Sequence, residues 1–479
     1  MARCACPGCT HGHSGTLGVL WDASKGGEMA TIVGKSEGVP MNSAARAVDE
    51  VGGIEEEYFF EGRAERFRLA GTLSEYPSNG RWGIEPVDDQ AFRTRMLVLR
   101  PRNTADFNGT VIVEWNNVSA GENFLGSRSA SRLIMDGFAV VGVSAQAAGV
   151  EGDGRPMPTL KTYYPERYGS LHHPGDDFSY DIFSQAGSLL TTDRPREIDP
   201  LGGLEVRHLV AAGASQSSAR LAAYINGIQP VTSVYDAFLL MVFPNAPCAL
   251  NGAPAPAELK QTGGPNIFHL LRWYTYLLRD DLEVPIIVLN SEAEASECHP
   301  NSQPDTELLR WWEVAGTGHT GLVSSDDPAM AAALAAAGAI TVSFAPAVRA
   351  AYHSLHHWIE GGSPPQHQPR LVKQGDPARL PRDEHGNAIG GIRWPDLEAP
   401  LGTHVAEHFG DGLNTLVGQS TPFGAEKLRA LYPDHAEWFK IYEKALDTLV
   451  ETGVVLPDDA AAMLSHAAAS PLPGLTTSD

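Results

Sequence analysis

Residues 206–224, VRHLVAAGASQSSARLAAY, limit what this chain can fold into more than any other stretch, because they read as a buried strand, a small-residue turn and a helix. The apolar run Leu209-Val210-Ala211-Ala212 suits a strand covered on both faces, and Ala219, Leu221, Ala222 and Tyr224 recur at helical spacing after it. Between them lies Gly213-Ala214-Ser215-Gln216-Ser217. A serine at such a turn is held in a strained backbone conformation, so the residues two before and two after it must be small for strand and helix to pass closely. Gly213 and Ser217 meet that demand, although Ser217 stands where the G-x-S-x-G pattern has glycine. Small turns containing a serine are common, and the pentapeptide takes its meaning from the strand before it and the helix after it.

The rest of the chain repeats this alternation. Residues 57–69 and 92–100 read as early antiparallel strands, and 110–115 (TVIVEW) as a third strand running into the polar loop Asn116-Asn117-Val118-Ser119-Ala120-Gly121. A helix over 128–136 leads to a strand over 138–144, and a helix over 180–190 feeds the strand before Ser215. Residues 234–243, 285–290 and 309–314 continue as strands. This order predicts an α/β fold with a mostly parallel sheet and helices on both faces, in which ligands gather beyond the carboxyl ends of the strands.

Three of those strand ends carry the residue types of nucleophilic catalysis. Ser215 follows the central strand, 285–290 runs into Ser291-Glu292-Ala293-Glu294, and 309–314 runs into Ala315-Gly316-Thr317-Gly318-His319. In a serine, acid, histidine set the imidazole takes the serine proton, and the carboxylate fixes the imidazole tautomer and stabilises the imidazolium. His319 is the expected base, and Glu292 and Glu294 both stand where the acid is needed. Taken singly, a glutamate after a strand or a histidine in a glycine turn is usually a solvated surface residue.

Charge removes several function classes. The 58 acidic against 35 basic residues give a formal charge of −23, which disfavours partners bound through phosphate neutralisation, so neither nucleic acid nor an anionic membrane is expected. No apolar run approaches the roughly 18 residues needed to span a bilayer, and the N-terminus lacks a positive region followed by an apolar one; the expected location is cytoplasmic. Cys4, Cys6, Cys9, His11 and His13 have zinc-ligand spacing, but the following Gly-, Ser- and Lys-rich residues offer no core, so 1–45 reads as a disordered tail and no metal is assigned. Cys248 and Cys298 are expected as reduced, buried thiols. His353 and His357 stand at i and i+4 but lack the intervening glutamate of a zincin, which favours packing over metal binding.

The segments IVEWNNVSAGEN, YDIFSQAGSLL, VAAGASQSSARL, PIIVLNSEAEA and RWWEVAGTGH, with GQSTPFGAEKLRALYP and DTLVETGVVLPDDAAAML nearer the C-terminus, resemble the α/β-hydrolase superfamily. Within it the chain is similar to the bacterial alpha/beta hydrolase domain group over about 51–467. The resemblance implies an α/β-hydrolase fold over 46–467 and a serine esterase working through an acyl-enzyme without metal or organic cofactor. It also implies Glu294, the later of the two carboxylates, as the acid, and an oxyanion hole built from the backbone N–H groups of Gln216 and Asn117, with Asn116 next in line. A lactonase, a thioesterase, an acyltransferase and a catalytically silent binding protein of the same fold stay open at this level. The small-molecule ester is the expected partner, and the sequence leaves the oligomeric state open.

The stretch of about forty residues between 243 and 285 exceeds the usual connection of about 2 to 6 residues and reads as a cap insertion over 244–284. In it 266–282, NIFHLLRWYTYLLRDDL, is an apolar and aromatic helix whose Trp273 and Tyr274, with Phe268 and Tyr276, are expected to line a substrate pocket. Residues 361–396 are rich in Pro, Gly and Arg and read as a long surface insertion, and 468–479 as a flexible C-terminus.

Overall fold

The computed structural model describes residues 30–70, 76–191, 193–194, 197–244, 247–251, 277–297, 302–322, 338–340, 342–375, 379–406, 417–470 and 472. Nine strands form one sheet: Thr31–Ser36 (β1), Gly53–Leu69 (β2), Ile84–Pro101 (β3), Thr110–Trp115 (β4), Ala139–Val143 (β5), His208–Ala214 (β6), Ala237–Met241 (β7), Ile286–Ser291 (β8) and Leu309–Val314 (β9). Their spatial order is β1-β2-β3-β5-β4-β6-β7-β8-β9. The strands β5, β4, β6, β7, β8 and β9 run parallel, while β1, β2 and β3 enter antiparallel at one edge.

Every residue of β4, β7, β8 and β9 is buried. The pleat sends alternate side chains into different cores, as in β4, where Ile112 joins one and Val111, Val113 and Trp115 the other. The helices Ala45–Glu50, Ala130–Met135 and Ala345–Ile359 bring Val48, Leu133 and Leu355 to the first core, and Ser179–Ser188 and Gln216–Ala223 bring Phe183 and Leu221 to the second. Each such aliphatic or aromatic side chain contributes about 1.5 to 3 kcal/mol on burial. Two C-terminal helices, His435–Glu451 and Pro457–Ala469, close the first layer through Trp438, Leu446 and Ala460.

The observed α/β class and mostly parallel sheet match the reading of the sequence, with β4 and β9 at the expected limits. Four features differ from it. The hairpin of β2 and β3 is far longer than expected, paired from Gly53 opposite Pro101 to Leu69 opposite Ile84. Residues 84–91 carry no apolar alternation to read because most of them are exposed. The predicted tail is cut short by β1, which pairs with β2 from Thr31 opposite Glu61 to Ser36 opposite Glu57, and Ala30 is buried beside it.

Residues 277–282, the end of the predicted cap helix, are irregular. Asn226 holds them through Nδ2 to the Leu277 carbonyl (2.9 Å), and the Arg279 N–H returns to Asn226 Oδ1 (3.1 Å). The 361–396 stretch is not a surface insertion throughout: Leu371, Leu380, Ala388, Ile392 and Trp394 are buried against the core at the far edge of the sheet. Ile392 donates its N–H to the Glu313 carbonyl (2.7 Å) and accepts from Ala315 (3.0 Å), so the segment runs alongside the end of β9.

Candidate functional site

The turn after β6 is built as its small residues require. Ser215 adopts φ 58° and ψ −121°, a region that non-glycine residues enter at a cost of about 1 to 3 kcal/mol and that persists only where the surroundings impose it. Those surroundings are visible: the Ser215 N–H donates to the Met241 carbonyl at the end of β7 (2.9 Å), and a Cβ on Gly213 would crowd the turn, standing 3.0 Å from the Ser217 carbonyl group and from Leu221 Cδ1. Ser217, in the place of the usual glycine, is accommodated because its hydroxyl donates to the Ala214 carbonyl (2.8 Å) and accepts from the Ala214 N–H (3.1 Å). The side chain that departs from the pattern is thereby spent inside the turn.

Residues from three strand ends meet there. His319, five residues beyond β9, places Nε2 2.9 Å from Ser215 Oγ and Nδ1 2.6 Å from Glu294 Oε1. Glu294 lies in the helix Glu292–Glu297 that follows β8 directly, and its other oxygen accepts from the Ser291 hydroxyl (2.6 Å) and the Ser291 N–H (3.0 Å). This is one half of a capping box, in which the third residue of a helix reaches back to the N–H of the residue before the helix, and the Ser291 hydroxyl accepts from the Ala293 N–H (3.2 Å). Burial alone would push the Glu294 carboxyl up, but the facing His319 ring and the two Ser291 bonds outweigh it and hold the group below its ordinary value. The result is a carboxylate, an imidazole and a hydroxyl in one line, with a charged acceptor fixed behind the ring.

Asn117 is engaged on every side and does not have the role expected of it. Its N–H donates to the Asn123 carbonyl (2.9 Å), so it is not available to a developing oxyanion. Its Nδ2 donates instead to the Ala214 carbonyl (2.8 Å) and its Oδ1 accepts from Ser119 N–H (2.9 Å), so Asn117 binds the loop after β4 to the turn that carries Ser215. Asn116 is likewise used, through Nδ2 to Glu122 Oε1 (2.7 Å). Gln216 is the first residue of its helix, where an N–H has no acceptor within the helix. Trp273, Tyr274, Phe268 and Tyr276 lie outside the described residues, as do Cys298 and the N-terminal Cys/His cluster.

A profile of the family described as "Alpha/beta hydrolase domain" matches residues 27–465. The chain belongs to that family. No curated protein matches the sequence. Among solved structures the chain is similar to Thermogutta terrifontis esterase 2 phosphoramylated by tabun, at 12% identity over 57% of this chain and 92% of that one, with a TM-score of 0.27. It is also similar to a cold-adapted esterase from an Arctic intertidal metagenomic library, at 9% identity over 53% of this chain and 84% of that one, TM-score 0.26. The rice cell wall degrading esterase LipA from Xanthomonas oryzae is 12% identical over 45% of this chain and 50% of that one, TM-score 0.22. These are distant likenesses, and the family match carries the assignment.

In this α/β hydrolase domain protein two histidines of the helix Ala345–Ile359 serve packing. His353 stands 2.9 Å from Asp136 and His356 2.8 Å from the Thr110 hydroxyl, both edge-on to Phe138. Among the described residues no three of His, Cys, Asp and Glu group as metal ligands, and no helix is long and apolar enough to cross a membrane. Cys248 is a buried free thiol. Sequence reasoning passed over Ser291, although S-x-x-E before a helix is itself a readable signal, and it gave no part to Arg382, which pairs with Glu292 from a segment ninety residues away in the chain.

Proposed function

We propose that this protein is a serine hydrolase that cleaves a carboxylic ester through an acyl-enzyme. The observation that carries the reading is the unbroken line from Glu294 Oε1 to His319 Nδ1 (2.6 Å) and from His319 Nε2 to Ser215 Oγ (2.9 Å) at the carboxyl ends of a parallel sheet. His319 takes the Ser215 proton as Oγ bonds to the ester carbonyl carbon, and the carbonyl oxygen becomes an oxyanion. The imidazolium then protonates the leaving alcohol as the tetrahedral adduct collapses to the acyl-enzyme. Water repeats the sequence, giving its proton to His319, and the acid is released as Ser215 recovers its hydrogen. Glu294 stays ionised throughout and fixes which ring nitrogen bears hydrogen.

Gln216 N–H is one oxyanion donor. The Asn117 N–H, spent on the Asn123 carbonyl, is not the second. Removing one such donor in a serine hydrolase lowers kcat by about 10² to 10³. The test of the whole reading is covalent labelling of Ser215 by a fluorophosphonate together with turnover of a short-chain aryl ester. Both are expected. Labelling without turnover redirects the reading to an acyltransferase, and neither would leave a silent member of the family.

A further inference from the structure

The turn that carries His319 is held by a residue the reaction does not use. Gly316 adopts φ 67°, and a Cβ there would stand 2.6 Å from Leu397 Cδ1, so the turn is pressed against the segment that runs beside β9. Glu292 grips the turn at two points: its carboxylate Oε2 accepts from the Gly316 N–H (2.7 Å), and its own N–H donates to the Thr317 carbonyl (3.2 Å). The other carboxylate oxygen accepts from Arg382 Nη1 (2.6 Å) and from the Ala406 N–H (3.1 Å). The Glu292 side chain is fully buried, and two of its three N–H donors, Arg382 and Ala406, come from residues beyond 380. A carboxylate so placed has no solvent to replace a lost partner, and removing one member of such a pair leaves an uncompensated buried charge.

We infer that Glu292 and Arg382 are positioning residues for His319, tying the imidazole-bearing turn to the C-terminal part of the chain. The inference rests on the serine hydrolase reading above, because it assigns these residues a share in holding the imidazole between Glu294 and Ser215. Glu292 and Glu294, two residues apart and on different faces of the helix Glu292–Glu297, then divide their work. Glu294 faces the ring, and Glu292 faces the backbone that carries the ring. An amide at 292 cannot reproduce this, since it offers one acceptor oxygen where N–H groups arrive from both sides, and its NH2 must oppose either Gly316 or the Arg382 and Ala406 pair. The turn then shifts, and an error of about 1 Å in a reacting group lowers rates by on the order of a hundredfold.

The test compares Glu292→Gln, Arg382→Met and Arg382→Lys with the wild type, using kcat per site titrated by the fluorophosphonate and KM for a short-chain aryl ester. Glu292→Gln is expected to lower kcat by about 10- to 100-fold with KM within about twofold, as fits loss of positioning and not of substrate binding. Arg382→Met is expected to lower kcat by about tenfold, and Arg382→Lys to recover most of that loss because it keeps the charge facing Glu292 with one donor in place of a fork. Wild-type kcat per titrated site in Glu292→Gln overturns the inference, and so does a rise in KM at constant kcat. If Glu292→Gln does not fold, the arginine pair decides: full kcat in Arg382→Met, or no recovery in Arg382→Lys, overturns it. A wild type that is labelled and turns over while these variants match it sinks the brace alone, whereas a wild type that is neither labelled nor active sinks the hydrolase reading and the brace with it.

Discussion

Replacing Glu294 by Gln reverses the direction of one proton, and the structure says by how much. The residue has two faces: Oε1 meets His319 Nδ1 at 2.6 Å, and Oε2 accepts from the Ser291 N–H at 3.0 Å and the Ser291 hydroxyl at 2.6 Å. Glutamine can place its oxygen on only one face. Turning the NH2 toward the Ser291 N–H leaves a buried donor without an acceptor, at about 1 to 3 kcal/mol. The oxygen therefore stays on Ser291, where glutamine serves a capping box as glutamate does, by a factor of about 5 to 150 at 1.4 kcal/mol per tenfold. The NH2 then faces Nδ1 and can only donate to it. Nδ1 becomes the bare nitrogen, Nε2 carries the hydrogen, and the atom 2.9 Å from Ser215 Oγ changes from proton acceptor to donor. The wrong tautomer in a serine protease triad lowers kcat by about 10⁴. A fall of about 10² to 10⁴ in kcat, or roughly 3 to 5.5 kcal/mol, is thus expected with the fold retained. Aryl ester hydrolysis measured with circular dichroism on the same samples decides it. More than a tenth of wild-type kcat in folded Glu294→Gln refutes the reasoning, and a deeper fall in Glu292→Gln than in Glu294→Gln would move the acid two residues back.

Ser215→Ala removes a single oxygen and is expected to lower kcat on the order of a million-fold with an unchanged circular dichroism spectrum; retention of a tenth of the activity would end the nucleophile assignment. Deleting residues 1–36 is expected to lower Tm by several degrees, because it unpairs the edge of β2 and removes the buried Ala30 and the Lys35–Glu56 ion pair. A Tm equal to that of the full chain would mean that β1 contributes nothing. Burial pushes the Glu114 carboxyl up to about 8 from 4.5, against the pull of the Leu125 and Gly126 N–H groups. The folded chain therefore holds a proton that the unfolded chain releases, and stability from this group is full below 4.5 and falls as pH rises toward about 8. Glu114→Gln has no such proton to lose, so the Tm advantage of wild type over the variant should shrink between those limits; an advantage constant with pH would show that the group does not titrate there.

Near-continuous apolar runs in the sequence were enough for the parallel strands, because a strand covered on both faces is apolar at most of its positions, with Glu114 in β4 and Arg310 and Glu313 in β9 as buried exceptions. The elbow was legible for a steric reason, since a serine at positive φ tolerates only small neighbours at Gly213 and Ser217. The chain order of Ser215, Glu294 and His319 followed from reading strand ends, and S-x-x-E would have separated Glu294 from Glu292 had the capping pattern been applied to it. Strands β1 and the outer half of β3 escaped notice because edge and exposed positions carry no hydrophobic alternation. The Pro-, Gly- and Arg-rich composition of 361–396 concealed a segment whose few apolar residues are buried against β9.

Residue types and local spacing determined which groups stand at which strand ends. Only the tertiary structure decided where the N–H groups of the loops are spent, because hydrogen bonds such as Asn117 to Asn123, Asn117 to Ala214 and Gly316 to Glu292 depend on how separate loops meet. The partnership of Glu292 with Arg382 belongs to the same class: a carboxylate and a guanidinium ninety residues apart carry no mark of each other in the sequence, and burial alone makes them a pair.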